Sequence, residues 1–130
     1  MHKKFLITGA LIAAFSVILG AFAAHQLKQI VGEATLQIFE TAVRYQMYHA
    51  MGLLAVGILY QPFPSKQLLW AGNLFIAGIV LFSGSLYLLC FIKHQYIPAL
   101  WVGAITPFGG LCFIAGWLLL ALGIAKKPIT

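Results

Sequence analysis

The sequence predicts an all-α fold: a four-helix transmembrane bundle with an amphipathic segment before the second span and a Pro/Gly break in the fourth. Three observations predict it. Hydrophobic residues make up 62% of the 130-residue chain and charged residues only 8%, against about 25% charged in a soluble domain. The apolar residues gather into long stretches, each sufficient to cross a hydrocarbon layer. The charges stand at the ends of those stretches, with Lys3 and Lys4 before the first, Lys66 between the second and third, and Lys126 and Lys127 after the last. A chain so poor in charge cannot keep its surface wet, so lipid is the expected solvent. The whole chain, 1–130, reads as one integral membrane domain with spans at about 5–24, 42–60, 68–91 and 97–125.

The first span, 5–24, carries no charge. At about 1.5 Å per residue it is about 30 Å long, one hydrocarbon thickness. With His2, Lys3 and Lys4 ahead of it and Ala21-Phe22-Ala23 near its end, it also has the look of a secretory leader. It is longer than the roughly 7–15 residues usual for the apolar part of one, and the expectation is that it stays in the mature chain. Residues 25–41 hold Lys28 and the only two acids, Glu33 and Glu40. Leu36, Phe39, Val43 and Met47 recur at helical spacing, and Glu33, Gln37, Glu40 and Arg44 form a polar stripe beside them. This pattern predicts an interfacial amphipathic helix running without a break into the second span, with Glu40 and Arg44 spaced to pair on one face.

The second span ends at a turn containing Pro62 and Pro64, and the third ends at Lys93-His94-Gln95. The fourth is interrupted by Thr106-Pro107-Phe108-Gly109-Gly110. Pro107 removes a backbone hydrogen bond and Gly109 and Gly110 loosen the same turn, so a kink or short break is expected there. Tyr60, Trp70, Tyr96 and Trp101 fall near predicted span ends, as an aromatic belt would place them, whereas Trp117 lies deeper. Small residues that permit close packing recur in span three (Gly72, Gly78, Ser83, Gly84, Ser85) and in span four (Gly103, Gly109, Gly110, Cys112, Gly116), so these two spans are expected to pack tightly.

Four crossings put both chain ends on one side, with Lys3, Lys4, Lys66, Lys126 and Lys127; the other side receives Lys28, Arg44 and Lys93. That asymmetry favours both termini in the cytoplasm.

Aligning the spans on this topology gathers polar side chains into the outer half. His25, Glu40, Arg44, Tyr45, His49, Ser83 and Ser85 are the candidate binding residues, forming one cluster open to the outer face. Ionisable groups within a bilayer cost roughly 2.5 kcal/mol or more at its centre and tend to face the bundle. Some of these residues also have a structural reading: His25 as a cap, Glu40 with Arg44 as an interfacial pair, His49 as a hydrogen-bonding tie between helices. On a straight helix Arg44 and His49 are about 140° apart, which opposes one ligand touching both.

Other chemistries lack their residues. The basic charges are single or paired rather than a patch, so no nucleic acid is expected. His25, His49 and His94 share no i,i+3 or i,i+4 spacing and the chain has no Asp, so no metal or other cofactor is expected. No Ser/His/Asp set, P-loop or GxGxxG is present. Cys90 and Cys112 read as small hydrophobes at different depths.

Four motifs occur in order: Gly20-Ala21-Phe22-Ala23-Ala24-His25; the stretch from Phe39 to Ala50 (FETAVRYQMYHA); Leu81-Phe82-Ser83-Gly84-Ser85-Leu86-Tyr87; and Ile105-Thr106-Pro107-Phe108-Gly109-Gly110 followed by Gly116-Trp117. Together they resemble the small four-span family of transmembrane protein 256, whose bacterial members form a domain of unknown function, DUF 423. Ala23 or Ala24 stands where such motifs often carry glycine. The resemblance implies a multi-pass protein of the bacterial cytoplasmic membrane and supplies no reaction, substrate or cofactor.

The expected function is therefore non-enzymatic: an accessory or lipid/small-molecule-binding bundle whose outer polar cluster is the working surface, with membrane lipid as partner. The alternative is a small transporter or channel, assembled as a homo-oligomer, in which His49 and the Pro107 break line the path.

Overall fold

A computed structural model describes residues 1–95 and 100–126. Tyr96, the first residues of the expected fourth span and Lys127 lie outside the described residues. The described residues form four helical rods. The first comprises α1 (Lys3–Phe22), a π-helical turn (Ala23–Leu27) and α2 (Lys28–Ile30). The second is α3 (Glu33–Leu59), unbroken over 27 residues. The third comprises α4 (Lys66–Gly78), a second π-helical turn (Ile79–Ser83) and α5 (Gly84–His94), and the fourth is α6 (Leu100–Ala125).

The rods run up-down-up-down. The backbone N–H of His2 donates to Gly57 O at 2.8 Å, so α1 starts where α3 ends. Ser83 of the third rod bonds to Ala42 in the first half of α3, and Gly123 of α6 meets Ser65 and Leu68 at the start of α4. Sequential neighbours are thus antiparallel, while α3 and α6 run in the same direction, each packed against the third rod. Met1, Lys3, Lys4, Lys66 and Lys126 share one end of the bundle; Lys28 and Lys93 share the other. The core between the rods holds Phe5, Leu53, Leu68, Phe75, Phe113 and Leu120 among others.

The outside is equally apolar. Leu111, Ile114, Leu118 and Leu122 form an exposed stripe along α6, and Ile7, Leu11, Phe15 and Ile18 do the same on α1. Helices hydrophobic all round belong to a membrane or a large protein core, and a bundle of this size has no large core.

The structure departs from the sequence expectation in three places. Three rods, Lys3–Ile30, Lys66–His94 and Leu100–Ala125, are long and apolar enough to cross a membrane. The remaining helix, α3, has the length but not the apolarity, because Glu33, Glu40, Arg44, Gln46 and His49 lie along it. The amphipathic segment is divided: residues 25–30 prolong the first rod through its π turn, and only from Glu33 does the chain run on into α3. Finally, α6 is helical through Pro107 without a break. Packing against the third rod holds it there. A Cβ at Gly109 would collide with the backbone of Phe82, so α6 lies directly against the second π turn. Thr106 Oγ1 also bonds to Ser85 Oγ, at 2.6 Å. The irregularity falls in the third rod instead, where Ile79–Ser83 forms the wider turn opposite this segment.

Candidate functional site

The candidate residues separate into three groups. His49 is 4% exposed and lies on α3, about 24 Å from Glu33 and about 15 Å from Leu59 along the axis. Its Nδ1 is 2.7 Å from Tyr45 O, a carbonyl that only accepts, so Nδ1 carries the proton and the neutral ring leaves Nε2 as acceptor. The indole N–H of Trp117 donates to that Nε2 at 3.2 Å. The imidazole also stacks flat on Phe113, with centroids 3.4 Å apart and planes within 6°. Each ring nitrogen thus has a partner, and α3 is tied to α6 in the middle of the bundle.

Beside this pair a groove of about 740 Å³ runs between α3 and α6, lined by Tyr45, Tyr48, His49, Phe82, Phe113 and Trp117 among others. Phe82 belongs to the second π turn and Gly110, which also borders the groove, to the Pro/Gly segment. The irregular turn of the third rod and the small residues of α6 therefore shape one wall. Tyr45 and Tyr48 have ring centroids 5.9 Å apart and are exposed at the opening.

Ser83 closes that π turn, Ser85 follows as the second residue of α5, and both are buried. Ser83 Oγ donates to Ala42 O at 2.8 Å, joining the third rod to α3. Ser85 Oγ donates to Phe82 O at 2.9 Å and meets Thr106 across to α6. Nearby, Tyr87 O–H donates to Gln46 Oε1 at 2.7 Å, and Gln46 Nε2 donates to Ile12 O at 3.4 Å. Ser16 Oγ donates to the same Ile12 carbonyl at 2.9 Å. This chain of polar groups joins three rods.

His25, Glu40 and Arg44 are exposed and stand apart from both sets. His25 lies in the first π turn. Glu40 and Arg44 border a shallow hollow with Gly20, Ala23 and Val43, and among the described residues no ion pair joins them. The geometry brings Tyr45 together with His49, and Ser83 together with Ser85, but does not gather the seven residues into one cluster. Of the helix-break residues, Gly109 packs on Phe82, Gly110 borders the groove and Pro107 lies inside α6.

The structure adds Gln46, Tyr87, Thr106 and Trp117 to the residues singled out from sequence. Trp117 carries the clearest signal, since an indole N–H deep in a span needs an acceptor. Its pairing with His49 becomes visible only once α3 and α6, which are not consecutive, are known to be neighbours.

The family model described as "Protein of unknown function (DUF423)" matches residues 19–110. The chain belongs to the DUF423 family. A UPF0382 membrane protein of Staphylococcus saprophyticus is 47% identical over 124 residues, covering 95% of this chain and 98% of that relative. The UPF0382 membrane protein YwdK of Bacillus subtilis is 42% identical over 125 residues, covering 95% and 98%. One of Staphylococcus haemolyticus is 44% identical over 124 residues, covering 95% and 97%. No solved structure matches this DUF423 chain. These relatives are membrane proteins of Gram-positive bacteria, in keeping with the apolar exterior of the DUF423 bundle. Among its described residues no group of His, Cys, Asp or Glu is placed to hold a metal ion.

Proposed function

We propose that this DUF423 protein crosses the bacterial cytoplasmic membrane four times, both termini on the cytoplasmic side, and acts without catalysis by binding a lipid or apolar small molecule in the groove between α3 and α6. The observation that carries the reading is the groove itself: an aromatic wall in the middle of the bundle, whose buried histidine is held in place by Trp117 and Tyr45. Ligand sites are typically about 300–1,000 Å³ and predominantly apolar, with few convergent polar groups.

The crossing by α3 is supported by where its polar groups point. Gln46 and His49 are buried against neighbouring helices, so they add polarity to the sequence but not to the lipid-facing surface. Arg44 is about 22 Å from Leu59 along the helix. Measured from that end, it lies within about 8 Å of the far edge of a roughly 30 Å core, a depth from which a long cationic side chain reaches the interface.

Binding is favoured over transport. The transport reading has His49 and a break at Pro107 line the path, whereas α6 continues through Pro107 and both His49 nitrogens are engaged within the bundle.

The test is native mass spectrometry after purification in mild detergent. The wild type should retain one lipid or apolar metabolite per protomer. Gly110→Leu, which fills the groove from α6, should lose it. Recovery of no specific adduct on the wild type overturns the reading.

A further inference from the structure

At the end of the bundle bearing Lys28 and Lys93, two hollows adjoin that share no lining residue with the groove. One, about 220 Å³, is apolar and lies between the first rod, α3 and α5, lined by Phe22, Leu27, Phe39, Tyr87, Cys90 and Phe91 among others. The other, about 240 Å³, is lined by Gly32, Thr35, Lys93 and His94 among others. Ile30, Val31 and His94 border both, so an apolar slot opens directly onto a basic rim. Lys93 and His94 come from the last turn of α5. Glu33, at the first position of α3, is exposed and lines neither hollow.

We infer that this end of the bundle is a second binding site, for a single-chain anionic amphiphile of the membrane, its acyl tail in the slot behind Val31 and its headgroup against Lys93 and His94. Two features select this occupant. The slot has room for part of one hydrocarbon chain, and its lining is as apolar as the lipid the tail leaves, so the tail enters with no polar group to desolvate. The rim sets a lysine ammonium beside the slot's mouth, and one basic side chain strengthens attraction to anionic lipid by about fivefold. A zwitterionic amphiphile would use the slot but gain less from the rim.

The inference does not rest on the groove between α3 and α6, and its test separates the two sites. The purified full-length chain in dodecyl maltoside is titrated with lysophosphatidylglycerol and, separately, with lysophosphatidylcholine of the same acyl chain. Bound adducts are read by native mass spectrometry. The wild type should prefer the anionic probe by about fivefold or more. Lys93→Gln with His94→Gln should abolish that preference while weak binding of both probes remains. Val31→Trp, in the extended turn after α2, should fill the slot and weaken both probes. Lys28→Gln removes a cation from the same end outside the hollows and should leave the preference intact, as should the groove-filling Gly110→Leu. Equal affinity of the wild type for the two probes overturns the proposal. So does a preference that survives loss of Lys93 and His94, or one that Lys28→Gln removes as completely. Circular dichroism establishes that each variant is folded, and the Lys93/His94 variant decides the matter even where Val31→Trp does not fold.

Discussion

Trp117 and His49 are 68 positions apart in the chain and joined by a 3.2 Å hydrogen bond between an indole N–H and an imidazole nitrogen. Their helices are not consecutive and run in the same direction. The bond is therefore a long-range tie, and it fixes the orientation of the histidine that borders the groove.

His49→Leu should destabilise the protein in detergent by about 1–3 kcal/mol, because it strands the Trp117 donor. Trp117→Phe removes that donor as well. A double-mutant cycle of the two substitutions, read from thermal or denaturant unfolding, should return a coupling of about 0.6 kcal/mol and no more than about 1.7 kcal/mol, the average and the maximum for hydrogen bonds between membrane helices. Strict additivity would mean that the bond contributes nothing.

Gly109→Ala should cost about 1–3 kcal/mol, since its Cβ meets the backbone of Phe82 and α6 has to shift away. Gly103→Ala is the matched comparison on the same helix, with nothing within 4 Å of the added carbon. It should be neutral or stabilise by up to about 1 kcal/mol through helix propensity. Melting temperatures measured side by side check the contrast.

Tyr87→Phe leaves the Gln46 side-chain oxygen without its donor and should cost about 1 kcal/mol. Gln46→Ala removes the link to Ile12 too and should cost more. Equal melting temperatures for the two variants would show that the bond to α1 adds nothing.

Arg44→Gln and Glu40→Gln should each change unfolding stability by no more than about 0.5 kcal/mol, as exposed side chains that no ion pair joins among the described residues. A loss as large as that of His49→Leu would mean that Arg44 has a structural duty that its position does not suggest.

The helical class and three of the rods were legible because apolar length alone marks them, whatever their neighbours. Apolar length does not mark α3 as a span, because the polar side chains of Gln46 and His49, both buried, lower its apolarity. Pro107 misled in the opposite direction: its local rule predicts a break, and contact of Gly109 with Phe82 and of Thr106 with Ser85 keeps the helix whole. The candidate site was half legible. His49, Ser83 and Ser85 could be singled out as polar groups inside apolar stretches, but their partners could not. Ser83 bonds to a backbone carbonyl of Ala42, a feature with no side-chain signature, and His49 takes its donor from a helix two connections away. His25, Glu40 and Arg44 matched in depth only, and depth says nothing about which side of a helix a residue occupies.

The wide turn at Ile79–Ser83 has a further bearing on the third rod. A π turn accommodates one residue more than an α-helical turn, so everything after it is rotated by about 100° relative to a regular helix. Ser85, Tyr87 and Cys90 reach Thr106, Gln46 and Thr35 only with that offset in place. Removing a single residue from the turn would leave every apolar stretch intact and swing all three side chains away from their partners. The rod behaves as a keyed shaft: its oiliness gets it into the bilayer, and one supernumerary residue decides which way it faces.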